Sequence, residues 1–234
     1  MKLKDARILI TGGSLGIGRA AAQVLCEAGA KVAITGRHEE RLHRAATETG
    51  AVAIVADAGN PKDVERTYQD VQKRLGGLDC LVNNAGIGEF VEMEKVTFEQ
   101  FEKIFSVNVY GAALMGARAA SLFRQQKSRG HIINIGSTAG LKGFPGGTVY
   151  AASKFALRGM TECWQAELRK HDIRVTLIAP SEVATAFGRE DGREREAPPN
   201  KLTSMEIAHA IKSVIELDDR GMIPELSVWA TNPW

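Results

Sequence analysis

The sequence predicts an α/β fold: a doubly wound, seven-stranded parallel sheet with helices on both faces, formed as a single domain over residues 1–234. Strand-like and helix-like segments alternate along the chain, a glycine-rich turn joins the first pair, and no internal repeat or low-complexity linker interrupts the order. With 234 residues, 44% hydrophobic and 25% charged, the chain is long enough for one substantial core.

The first strand is the β-rich run Arg7-Ile8-Leu9-Ile10-Thr11, and its helix follows through Ala20, Ala21, Val24, Leu25 and Ala28 to a stop at Gly29. A strand at 31–35 precedes a helix near 39–48, and a strand at 51–55 precedes a helix at 61–75, with Asn60 as N-cap and Pro61 at the first helical position. The fourth strand is 78–82. Long helical patterns at about 97–126 and at 149–171 then lead into strands at 131–135 and 174–178. A last helix, 204–217, leads to a strand at 225–229. Parallel strands joined by right-handed crossovers place a ligand crevice at their carboxyl ends. The polar, charged stretch 186–201 breaks the rhythm and is expected to be a mobile loop that closes over substrate.

Charge excludes some classes of function. The net charge of +2 arises from 30 basic and 28 acidic residues, a close balance that speaks against a nucleic-acid partner. The densest basic stretch, with Arg124, Lys127 and Arg129, reads as a solvated turn before a strand. The first residues have no apolar core, and nowhere do about eighteen apolar residues run uninterrupted, so no export signal or membrane span is expected. Cys26, Cys80 and Cys163 lie far apart, outside any metal-ligand spacing, and read as reduced core thiols of a cytoplasmic protein with no metal site.

Thr11-Gly12-Gly13-Ser14-Leu15-Gly16-Ile17-Gly18 sits between the first strand and the first helix. Glycines there let the backbone approach a pyrophosphate at the helix N-terminus, so Gly12, Ser14, Gly16, Ile17 and Gly18 are candidate cofactor contacts. About twenty residues on, where an acidic side chain would bind a free ribose 2′-hydroxyl, the chain has Gly36 and then Arg37, which points to NADP(H).

Tyr150 and Lys154 stand at i and i+4 in a helical pattern and share a face. A free phenol has a pKa near ~10, and a nearby ammonium stabilises its phenolate and eases proton exchange. Ser137, just past the fifth strand, is placed to hydrogen-bond a substrate carbonyl, and Asn108 to hold a water or a backbone bend within reach of Lys154.

With Asn83-Asn84-Ala85-Gly86 after the fourth strand, these motifs run in order from residue 11 to 185 and resemble the classical branch of the short-chain dehydrogenase/reductase family, a Rossmann fold. The resemblance implies that Tyr150 is the general acid of carbonyl reduction and the base of alcohol oxidation, with Ser137 orienting the carbonyl. It also implies that Lys154 binds the nicotinamide ribose and lowers the Tyr150 pKa, and that Asn108 carries a relay water. By the same resemblance Asn84, Ala85 and Gly86 line the cofactor, Asp57 lies near the adenine, and Pro180, Val183 and Thr185 near the carboxamide. A homodimer or homotetramer formed through the two long helices is implied as well.

Two features depart from the family pattern: Pro180-Ser181 in place of Pro-Gly, and a C-terminus with Trp229 and Trp234, which read as core or subunit-contact residues, Trp229 as core. The expected activity is NADPH-dependent reduction of a small ketone, a 3-oxoacyl compound among the candidates. Oxidation of a small alcohol, sugar or steroid is the alternative, and a nucleotide-sensing protein without turnover is the competitor from another class. Substrate contacts are expected around 88–90, 141–144 and 182–189.

Overall fold

The computed structural model describes residues 1–188 and 193–232. The expectations for Trp234 and for positions 189–192 of the substrate loop fall outside the described residues.

All seven strands form, and every pairing is parallel: β1 (Arg7–Ile10), β2 (Lys31–Gly36), β3 (Val52–Val55), β4 (Cys80–Asn83), β5 (Gly130–Ile135), β6 (Ile173–Pro180) and β7 (Glu225–Val228). Their spatial order is β3-β2-β1-β4-β5-β6-β7, so the winding reverses between β1 and β4 and opens a crevice at their carboxyl ends. The central strands β1 and β4 run almost wholly apolar because both faces are covered. Ile8 and Ile10 of β1 pack into the cluster that holds Leu25 of α1 (Gly16–Glu27), Leu42 of α2 (Glu39–Thr49) and Ile211 of α7 (Ser204–Glu216). Leu9, between them, faces the opposite way, toward Val71 of α3 (Pro61–Leu75) and Met115 and Phe123 of α5 (Ala112–Gln126). This period of two is what sorts the side chains of β1 between the two layers.

Local chemistry explains the boundaries that matter for the crevice. Asn60 caps α3 as expected, its Oδ1 accepting from the Lys62 N–H at 2.9 Å with Pro61 next to it. The helix expected over 97–126 is not continuous. Thr97 and Gln100 form a capping box at the start of α4 (Phe98–Phe105), a π-helical turn follows at Ser106–Gly111, and α5 begins at Ala112. The wide turn carries Asn108 on its inner side, where it is buried. The helix α6 (Thr148–Leu168) packs across β6 and ends in a short 3-10 turn over Arg169–His171.

Two expectations about single residues are overturned. Of the three cysteines only Cys80 is fully buried; Cys26 is half-buried and Cys163, on the solvent side of α6, is exposed. Trp229 is 62% exposed rather than in the core, because β7 is an edge strand and the residue lies just past its end.

Beneath the crevice a polar chain ties β4, β5 and α6 together. Asn83 Nδ2 donates to Asn134 Oδ1 at 3.0 Å, and Asn134 Nδ2 donates to Thr161 Oγ1 at 2.8 Å, all three residues being buried. Truncating the middle member leaves one buried Asn83 N–H without its acceptor and Thr161 Oγ1 without its donor. Asn134→Ala is therefore expected to lower the unfolding free energy by about 2 kcal/mol, read from the urea midpoint at unchanged slope.

Candidate active site

The turn after β1 is bolted to the turn after β4. Thr11 Oγ1 accepts the backbone N–H groups of Asn84 and Ala85, each at 3.0 Å, and Asn84 Nδ2 donates to the carbonyls of Thr11 at 2.9 Å and Gly12 at 3.0 Å. The approach is so close that a Cβ on Gly12, whose φ is +66°, would stand 2.9 Å from the Ala85 Cα. Gly16 also has a positive φ, +54°, and its N–H at the head of α1 points outward with no backbone partner in the helix. A carboxylate already occupies that amide: Glu194 Oε1 accepts it at 2.8 Å, with Arg19 Nη2 at 3.4 Å from the same oxygen. A helix N-terminus attracts an anion of just this kind. Ile17 packs against the core behind the turn, and Ser14 faces Gly36.

Beside this turn lies a cleft of about 370 Å³, lined in part by Arg37, Asp57, Gly59, Ile87, Lys103 and Ser106. Arg37 reaches Asp57 Oδ2 at 3.9 Å, both side chains being substantially exposed. Asp57 Oδ1 is held by the Gly59 N–H at 2.9 Å, which fixes the turn after β3. Lys103, on α4, pairs with Glu89 across the mouth.

The second cluster stands around α6. Ser137, just past β5, accepts from the Ala139 N–H at 3.1 Å and faces the Tyr150 phenol. Lys154 is 5% exposed; its Nζ donates to the Ile135 carbonyl at 2.8 Å and lies 5.8 Å from the Tyr150 ring centroid. Asn108 is fully engaged: Oδ1 accepts the Ile87 N–H at 2.9 Å, while Nδ2 donates to the Ile87 carbonyl at 2.9 Å and to Ser153 Oγ at 3.0 Å. It thereby grips both polar groups of the Ile87 backbone. Gly86 sits between the clusters, with Asn108 Oδ1 and Lys154 Nζ 3.5 and 3.6 Å from the place a Cβ would take. Thr185, buried, lies against Gly16, and Val183 bridges in parallel to Leu202; the backbone between them follows from Pro180, at the end of β6, and Ser181, whose N–H donates to the Val228 carbonyl at 2.8 Å.

Electrostatics correct one expectation. Burial raises the Tyr150 pKa above that of a free phenol, and the Ser137 hydrogen bond offsets only part of the rise. The same burial disfavours the Lys154 cation and lowers its pKa to about 8. Three participants escape sequence reading. Ser153 links Asn108 to the Tyr150 carbonyl, donating to it at 2.7 Å. Gly140 lets its turn press on α6, since a Cβ there would lie 2.9 Å from the Lys154 carbonyl. Glu194 falls in a charged stretch with nothing in its spacing to mark it. Ser153 alone left a signal, a small polar residue on the buried side of a helix beside Lys154.

A family model described as "short chain dehydrogenase" matches residues 6–196. Human 3-oxoacyl-[acyl-carrier-protein] reductase is 33% identical over 218 residues, covering 91% of this chain and 92% of that protein. The structure of 3-ketoacyl-(acyl-carrier-protein) reductase from Brucella melitensis, complexed with NADH, superposes with a TM-score of 0.89 at 28% identity, over 99% of this chain and 100% of that one. An alcohol dehydrogenase from the archaeon Thermococcus sibiricus, complexed with 5-hydroxy-NADP, gives 0.86 at 26% identity over 97% of each chain. Among the described residues no group of side chains is arranged to hold a metal ion, and no helix is long and apolar enough to cross a membrane.

The buried lysine has a consequence for stability. Its folded pKa lies below the unfolded value, so between pH 8 and the free-lysine value of 10.5 the unfolded chain binds a proton that the folded one lacks, and stability rises with pH in that window. Measured against Lys154→Met, the wild-type unfolding free energy should gain about 2 kcal/mol between pH 7 and pH 9.5.

Proposed function

The chain belongs to the short chain dehydrogenase family, and on that premise we propose that it is an NADPH-dependent carbonyl reductase in which Tyr150 protonates the oxygen of a ketone. The observation that carries this reading is the convergence of Ser137, Tyr150 and Lys154 at the carboxyl ends of the strands, one glycine turn away from an amide that already holds an anion.

The residues fit a dinucleotide. Gly12 and Gly16 leave the backbone bare where a pyrophosphate would lie, and the Glu194 carboxylate stands in for its charge at the Gly16 N–H. A bound nicotinamide supplies the hydride. Gly16, Ile17 and Gly18 would receive the phosphates, Asp57 would face the adenine, Asn84 to Gly86 would line the middle, and Pro180, Val183 and Thr185 the carboxamide. Relatives of this chain are bound to NADH or to an NADP derivative, so the preference for NADPH rests on Gly36 and Arg37: no carboxylate meets the 2′ position, and the Arg37 guanidinium has only a long, exposed pair with Asp57 to exchange for a phosphate.

In reduction the substrate oxygen takes on negative charge as the carbon accepts hydride. Ser137 holds that oxygen, and Tyr150 gives it a proton. A phenol whose pKa is raised stays protonated at neutral pH and remains a far stronger acid than an alkoxide's conjugate alcohol, so burial here favours the form that donates the proton. Lys154, with a pKa of about 8, can return a proton toward Tyr150 near neutral pH. Asn108, by clamping Ile87, and Ser153, by tying Asn108 to the Tyr150 carbonyl, hold the positions of these groups. Exposed Tyr110, Leu114 and Phe155, on the π turn, α5 and α6, support pairing of copies through the two long helices.

Tyr150→Phe is expected to lower ketone reduction by at least about a hundred-fold while the dissociation constant for NADPH stays near wild type. Arg37→Ala should weaken NADPH by about ten-fold and leave NADH unchanged, as followed by quenching of intrinsic fluorescence. Glu194→Gln removes an internal competitor, and NADPH should bind it about three- to ten-fold more tightly; an unchanged constant would show that the carboxylate yields without cost.

A further inference from the structure

Two phenylalanines from separate connections pack on the Tyr150 ring, and a third packs on one of them. Phe90, from the segment after β4, meets it edge-on at 5.6 Å and 76°. Phe187, from the segment after β6, lies at 5.3 Å and 56°. Phe144, from the turn before α6, tilts against Phe90 at 5.8 Å and 51°. The backbone is shaped to this arrangement: a Cβ on Gly88 would stand 2.8 Å from the Phe187 ring and 3.2 Å from that of Tyr150. The Val91 N–H donates to the Gly146 carbonyl at 3.0 Å and so ties the Phe90 and Phe144 segments together.

These rings are not core residues. Phe90 is 48% exposed and Phe144 43% exposed, in a chain whose other large apolar side chains near the crevice are mostly covered. Two carboxylates of the connections after β4 and β6 are paired elsewhere, Glu89 with Lys103 and Glu182 with Lys201. Among the described residues the wall beside the phenol therefore offers mainly ring faces and edges, with the Arg195 guanidinium engaged on the Phe187 carbonyl at 3.3 Å. A polyhydroxylated ketone would leave its hydroxyls unpaired against it, whereas a planar ring finds offset and edge-on contacts at once. A long flexible acyl chain would gain the same apolar cover but would lose more rotational freedom in reaching it.

We propose that Phe90, Phe144 and Phe187 select an uncharged, ring-bearing ketone, of the aryl ketone, cyclic diketone or quinone class, and present its carbonyl to Tyr150 and Ser137. The inference rests on the carbonyl reductase reading and names the substrate class of that site.

The test compares kcat/KM, at saturating NADPH, for an aryl ketone, a naphthoquinone, a keto sugar and a short 3-oxoacyl thioester, in wild type and in Phe90→Leu, Phe144→Leu and Phe187→Leu. Each variant is first checked for an unchanged melting temperature, and leucine keeps the apolar volume while removing the ring. The expected result is a preference of about a hundred-fold or more for the ring compounds over the keto sugar, reduced by about ten-fold in the leucine variants and mainly through KM. Equal kcat/KM for ring and non-ring ketones, or a preference untouched by all three substitutions, overturns the proposal and leaves the reductase reading standing. Oxidation of NADPH by none of the four compounds would instead sink the reductase reading. In that event binding of the aryl ketone to the NADPH complex of Tyr150→Phe, followed by ligand-observed NMR, decides for the ring site if it is lost in Phe90→Leu and against it if no binding occurs.

Discussion

The junction between the turns after β1 and β4 is the constraint on which the rest of the structure hangs. One hydroxyl, on Thr11, takes two backbone amides of the neighbouring turn, and one carboxamide, on Asn84, returns two donors to the carbonyls of Thr11 and Gly12. Four hydrogen bonds thus close the reversal point of the sheet, where adjacent turns depart in opposite directions and would otherwise be free to splay. With the two turns fused, Gly16 opens α1 with its amide turned to the Glu194 carboxylate, and Gly86 passes close to Asn108 and Lys154, between the two halves of the crevice.

A second set of contacts fixes the chemistry to this frame by way of backbone rather than side-chain partners. Asn108 grips both polar groups of Ile87, Lys154 gives its ammonium to the Ile135 carbonyl, and Ser153 caps the Tyr150 carbonyl within α6. The π turn is what makes the first of these possible, since a regular helix from 97 to 126 would carry residue 108 at a different angle. The arrangement holds a cation in a site that disfavours it, a cost met by the rest of the fold.

Most of this could be read from the residues, and the reasons are specific. Alternation of short apolar runs with helical periodicity gave seven strands within two or three residues of their ends, and Asn60-Pro61 marked the start of α3 outright. Gly12 to Gly18, Asn84, Ser137, Tyr150 and Lys154 were legible because each lies at a strand end or on one face of a helix, where spacing carries the geometry. The π turn was not, because a single extra residue in a turn leaves the apolar period almost intact. The exposure of Cys163 and Trp229 was missed because an apolar neighbourhood in sequence does not say which side of an element faces water. The direction of the Tyr150 shift depended on the depth of burial, and the partner of Gly16 on a carboxylate nearly two hundred residues away.

If the proposed cofactor reading holds, Glu194 on the Gly16 amide also bears on the end of a catalytic cycle. A departing phosphate normally leaves a desolvated donor behind, and that loss slows its escape. Here a tethered carboxylate stands at a local concentration that no dilution of the protein alters, ready to take over each hydrogen bond as it is vacated. On the proposed reading spent cofactor would then be exchanged stepwise instead of leaving whole, and the charged stretch expected to be a mobile loop over substrate would hasten turnover wherever release is the slow step.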